Sequence, residues 1–329
     1  MVSSLKKNKV LIYTVALVLL VVAFISNIII GSSNITLSEI FITLFNSEAN
    51  PTIHTVLWKI RIPRAIVALV TGATLAASGT LIKAVMKNPL ADTGLLGIQS
   101  GATLIAMIII LIMPHMYDLL PIGAFVGGFL VYLILTAVAF KDGIKPVRLI
   151  LSGVAINGFL GSFIGLISIY NSDKIQSALN WLNGSLAGVT MDDAILITIY
   201  GVMAIIISLF LIGKCNLLLL DDITIINLGE NLSLTRFIVS TVAVLLTSVS
   251  VSVVGIISFV GLVVPHITRL IIGQNHKHLL PLSIILGSVF LLMADVLQKL
   301  IFSPMEIPVG IVISFIGGPF FLYLLRKEV

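Results

Sequence analysis

Ten apolar segments run along this chain, at about 10–31, 64–84, 101–114, 121–140, 148–170, 193–213, 236–255, 257–273, 279–302 and 307–325, separated by breaks rich in Gly, Pro, Asn or charge. A bilayer core requires about 20 predominantly apolar residues per helix, and only helices or closed barrels satisfy their backbone groups there. The recurrence predicts an all-α polytopic membrane protein with about ten transmembrane helices. The third and eighth segments are short or interrupted by proline, so their ends are the least defined. Only 10% of the 329 residues are charged, against about 25% in a soluble domain. A water-soluble enzyme is excluded, and a single transmembrane domain over 1–329 is the economical division. The N-terminal apolar run follows Lys6, Lys7 and Lys9 but is too long for a signal-peptide core, and no small-residue cleavage site follows it, so it is expected to remain as the first span.

Charge orients the spans. With the N-terminus inside, fourteen of the nineteen basic residues fall on the cytoplasmic side: Lys6, Lys7, Lys9, Lys83, Lys87, Lys141, Lys145, Arg148, Lys214, Arg236, Arg269, Lys277, Arg326 and Lys327. The positive-inside bias therefore predicts both termini in the cytoplasm. The net charge of +5 reads as topology, because no basic run is dense enough for nucleic acid. Cys215 is the single cysteine and so forms neither an internal disulfide nor a two-thiol metal site. His266, His276 and His278 lie near Arg269 and Lys277 without an acid or thiol close in sequence, which predicts a solvated basic loop and no metal site. No cofactor motif is present. No G-x-x-x-x-G-K-[ST] loop occurs either, so ATP-driven action requires a partner.

Motifs recur in a fixed order. They are Arg61-Ile62-Pro63-Arg64; Gly72-Ala73 through Gly79; Lys87-Asn88-Pro89-Leu90-Ala91-Asp92 running into Gly94-Leu95-Leu96-Gly97; Trp181-Leu182-Asn183-Gly184-Ser185-Leu186; Gly255 to Arg269 with Pro265-His266; and Glu306-Ile307-Pro308-Val309-Gly310. In this order, over nearly the whole chain, the sequence resembles the FecCD-type permease family of bacterial ABC importers for iron-siderophores, haem and vitamin B12. The resemblance implies a fold like that of the vitamin B12 importer permease. It also implies a multi-pass place in the bacterial cytoplasmic membrane and three kinds of partner: ABC ATPase subunits, an extracytoplasmic substrate-binding protein and a second permease subunit, either a copy or a paralogue. The cargo would be a ferric siderophore or related metal chelate, moved by ATP-driven alternating access.

Site residues follow from the chemistry and the resemblance together. Lys59, Arg61 and Arg64 gather cations on the outer side, against the usual bias. They either snorkel to headgroups or form a patch whose guanidinium forks receive carboxylates. The resemblance favours docking of the binding protein at Arg61, Arg64 and Lys299, the last standing where the vitamin B12 importer has an arginine. Asp295 is an acid inside a span, with Lys299 four residues on; the spacing predicts a structural ion pair in preference to a proton relay.

The fifth span carries Gly153, Asn157, Gly161, Gly165 and Ser168 at spacings of four, four, four and three. Such a face either packs closely against another helix or walls a pathway for a bulky solute. The resemblance puts this helix at a central pore, with Asn88 and Leu90 near its inner gate. Within the segment at about 214–235, Asp221 or Asp222 is suited to cap a short helix ending at Gly229, and Ile225, Ile226 and Leu228 are too apolar for a solvated loop. They pack on their own spans or form a coupling helix that enters an ATPase groove, where the resemblance places it. A competing function, an ion-coupled secondary transporter for a small solute, would need ion-binding acids or unwound helices at the midplane. Asp295 alone gives that little support.

Overall fold

A computed structural model describes residues 9–31, 37–45, 50–139 and 144–328. Lys6, Lys7 and Lys141, three of the cations used above for orientation, lie outside them. Every described element is helical, and they follow one another as α1 (Lys9–Ile29), α2 (Leu37–Phe45), α3 (Pro51–Val56), α4 (Ile62–Met86), α5 (Ile98–Met107), α6 (Leu120–Ala139), α7 (Pro146–Tyr170), α8 (Ile175–Leu182), α9 (Met191–Phe210), α10 (Ile212–Leu217), α11 (Asp222–Asn227), α12 (Leu232–Val254), α13 (Val260–Ile272), α14 (His276–Phe302) and α15 (Val309–Glu328). Seven helical stretches among the described residues are long and apolar enough to cross a membrane, and three shorter apolar ones, Ile98–Ile112, Val260–Ile272 and Val309–Tyr323, coincide with the third, eighth and tenth expected segments.

Local signals set the ends of these helices. Thr190 and Asp193 form a reciprocal capping box at the start of α9. The Asn231 side chain accepts from Leu234 N to start α12, and Gly255, with φ of 73°, ends it. Lys87 takes the left-handed conformation (φ 49°) that stops α4 ahead of Pro89.

Helix α4 lies at the centre and is buried on nearly all sides. Its small residues let neighbouring backbones approach closely. A Cβ added at Gly72 would lie 2.2 Å from the Gly287 carbonyl of α14, and one added at Gly79 would lie 1.9 Å from the Gly261 carbonyl of α13. In lipid, where burial of apolar surface drives little helix association, such backbone-level packing replaces the hydrophobic effect. Hydroxyls join the same helix to α12, with Ser78 Oγ and Thr247 Oγ1 at 2.7 Å.

The periphery has the opposite character. Helix α7 buries only Leu149 and Gly153, and it exposes Phe159, Phe163, Leu166 and Ile169; α1 exposes Val15, Val18, Val22 and Ile25. Apolar surface on this scale requires lipid or another subunit against it. Motifs distant in sequence meet in one junction. Gly310 N donates to Gly184 O at 3.0 Å and Ser185 N to Val254 O at 2.9 Å, so the segments around residues 181–186, 254–257 and 306–310 form one junction.

Candidate functional site

One end of the helix bundle is built around a buried charge cluster that joins α1, α4 and α14. Arg64 Nε lies 3.1 Å from both Asp295 carboxylate oxygens, and its Nη2 donates to Asp295 Oδ1 at 2.9 Å and to Gln298 Oε1 at 3.0 Å. Its remaining branch, Nη1, donates to Glu306 Oε2 at 3.0 Å. Lys299 Nζ reaches Asp295 Oδ2 at 2.9 Å, which is the i,i+4 pair expected from sequence, and also donates to Asn27 O and Oδ1. Asn27 Nδ2 donates to Asp295 Oδ2 at 3.0 Å. Two cations and two carboxylates therefore balance, and the amides of Asn27 and Gln298 complete the shell.

This geometry corrects the picture of Arg61 and Arg64 as outward forks. Both residues are buried, at 4% and 5% exposure. Arg61 Nη1 donates to Ile28 O at 2.9 Å and Ile29 O at 2.6 Å, which caps the C-terminal end of α1. In a low-dielectric setting an internal carboxylate or an orphan helix carbonyl outcompetes distant partners, because leaving either charge unpaired there is costly. Sequence reasoning missed Asn27 and Gln298, and it read Glu306 as part of a motif without giving it a partner. A polar residue inside an apolar span was the available signal for Asn27.

On the opposite side, α11 is fixed by its own acids. The Asp221 side chain accepts from Thr224 N at 2.9 Å and so caps the helix, while Asp222 bridges Lys87 Nζ at 2.7 Å and Arg236 Nη2 at 2.9 Å. Burial alone would raise the Asp222 carboxyl, but hydrogen bonds and charge from Lys87 and Arg236 outweigh it and hold the group below the usual carboxylate range. The segment is thereby tied to the ends of α4 and α12. Gly229 closes it at φ 81°. Ile225 is corrected: it is wholly buried, whereas Ile223, Ile226 and Leu228 are 72%, 59% and 62% exposed. Positions 223 and 226 share one face of a helical turn and 225 points to the other, so a run of isoleucines is divided between core and surface.

Asn88 and Leu90 sit in the turn directly after Lys87, where Asn88 Oδ1 accepts from Leu90 N at 2.8 Å. Asn88 thus shapes the turn beside α11. The small face of α7 separates into two parts. Gly153 is buried, and Asn157 is held inward by Gly94 O at 3.1 Å and Ser100 Oγ at 2.6 Å. At Gly158, Gly161 and Gly165 an added Cβ would meet nothing within 4 Å, so this stretch is not packed within the chain. Ser168 Oγ bonds back to Ile164 O at 2.8 Å. The basic loop is less solvated than expected: His276 is buried, and its backbone N donates to Asn216 Oδ1 at 2.8 Å because α10 folds over it.

The sequence profile of the FecCD transport family matches residues 19–327. The "Fe(3+)-citrate import system permease protein YfmD" of Bacillus subtilis (strain 168) is 36% identical over 324 residues, covering 97% of this chain and 96% of that protein. The "Probable heme-iron transport system permease protein IsdF" of Staphylococcus aureus (strain Newman) is 32% identical over 324 residues, covering 98% of each. Among solved structures, an inward-facing conformation of an ABC transporter of metal-chelate type matches with a TM-score of 0.83 and 27% identity over 96% of this chain and 99% of the other.

Proposed function

The chain belongs to the FecCD transport family, and from that premise we propose that it is the transmembrane permease subunit of a binding-protein-dependent ABC importer, carrying a ferric chelate across the bacterial cytoplasmic membrane. The observation that carries this reading is the likeness of the whole fold to a metal-chelate type transporter, in a chain with no phosphate-binding loop of its own. Relatives named for Fe(3+)-citrate and haem iron point to iron chelates as the cargo class.

The finer reading has ten spans with both termini cytoplasmic, supported by the ten apolar helical stretches and the positive-inside bias. ATP is hydrolysed on separate ATPase subunits, which receive the exposed edge of Ile223, Ile226 and Leu228. A second permease subunit faces the open part of α7, and the chelate passes between the two. The substrate-binding protein docks at the outer end of α4 and α14, around Arg64, Lys299 and Glu306. Nucleotide-driven closure of the ATPases re-packs the permease halves between outward-open and inward-open states. A secondary transporter fits less well, because Asp295 is held by two cations and has no open side for a transported ion.

Reconstitution of the permease with its ATPase and binding protein tests this directly, with uptake of radioactive iron offered as citrate, siderophore and haem complexes. Uptake should require ATP and survive an uncoupler. ATP-independent uptake that collapses with the uncoupler would overturn the proposal.

A further inference from the structure

The outer charge cluster has one member that differs from the rest. Asp295 and Gln298 are wholly buried and Arg64 nearly so, yet the Glu306 side chain is 49% exposed. Four of the five hydrogen bonds of the Arg64 guanidinium run to the buried partners, and only the Nη1 bond reaches a group that water and other proteins touch. Among the described hydrogen-bond partners of Arg64, Glu306 is thus the one that also faces the surface. Glu306 stands in the short segment between α14 and α15, which leaves its backbone outside both helices.

From this geometry we infer that Glu306 is a resident carboxylate holding the Nη1 branch of Arg64 until a carboxylate of the external binding protein displaces it. This rests on the proposed docking of that protein at the outer face. Two further observations support it. With Glu306 in place, two carboxylates face Arg64 and Lys299, so the Nη1 branch of Arg64 has an anionic partner before any other protein arrives. The exchange is also conservative, one carboxylate for another on the single donor Nη1, with Asp295 keeping the guanidinium plane fixed through Nε and Nη2. Such a device sets the strength of docking: the partner gains only the difference between its own carboxylate and the resident one, which favours release after each delivery.

The test measures binding of the substrate-binding protein of the same system to the assembled permease–ATPase complex in lipid nanodiscs, across a series of salt concentrations. Glu306→Gln keeps a carbonyl oxygen for Nη1 but removes the competing charge. It should tighten binding by about threefold to tenfold, most at low salt. Arg64→Lys keeps the positive charge beside Asp295 but loses the outward branch, and it should weaken binding by a similar factor. Unchanged or weaker binding of the Glu306→Gln complex, with Arg64→Lys still weakened, overturns the resident-carboxylate role and leaves docking intact. Unchanged binding in both variants overturns docking at Arg64 itself. A monodisperse elution profile of each complex shows that an altered affinity is not a failure of assembly.

Discussion

Arg64 and Asp295 stand 231 residues apart in sequence and meet at 2.9 Å inside the protein, with Lys299 on the same carboxylate at 2.9 Å from its own helix. One acid thus pairs with two cations and ties α4 to α14. Removing it should do more harm than removing a surface ion pair, since both cations are left without their shared partner. Asp295→Asn is expected to destabilise the protein by about 3–5 kcal/mol, read as a lower thermal midpoint of the purified transporter. In Arg64→Met combined with Asp295→Asn, the loss should be smaller than the sum of the two single changes.

Helix α11 separates two isoleucines that are close in sequence. Ile226→Asp and Leu228→Asp change an exposed edge, so the permease should express and elute normally while ATPase co-purification or binding-protein-stimulated hydrolysis falls. Ile225→Asp inserts a charge into a wholly buried position and should instead reduce the yield of folded permease. Equal behaviour of positions 225 and 226 in both assays would contradict the division of the helix into two faces.

The clamp at Asp222 has a defined pH response. Its carboxyl is held below the ordinary range in the folded protein, so its stabilising contribution is present above the unfolded carboxylate value and is lost as pH falls through the folded one. Hydrogen exchange in residues 220–228 should stay slow at neutral pH and quicken only in strong acid. Asp222→Asn should quicken it at all pH values.

Thiol chemistry distinguishes open from packed positions. Burial pushes the Cys215 thiol up to about 12, so it should resist a water-soluble maleimide at neutral pH. Gly161→Cys, on the unpacked stretch of α7, should be labelled in the transporter if water lines that face, and its labelling should change on adding nucleotide. Gly161→Leu should still assemble, whereas Gly72→Leu, with the Gly287 carbonyl 2.2 Å from the first added atom, should overpack and lower yield.

The sequence by itself determined the class of solvent around this protein, and through that the helical class and the approximate place of each apolar segment, because the length and apolarity of a span are local properties of the chain. It also indicated the Asp295–Lys299 pair, which one turn of helix brings together, and the capping role of Asp221. Only the tertiary structure decided which cations stay available. Arg61 and Arg64 read from sequence as a patch for a partner, yet their acceptors, the α1 carbonyls and the Asp295 carboxylate, come from segments about 30 and 231 residues away. Likewise the six residues of α11 are too few for hydrophobic periodicity to tell Ile225 from Ile226, and the fifth span shows the same small-residue pattern whether packed or open. Pairing and packing depend on what lies across the contact, and that partner is fixed by the fold as a whole.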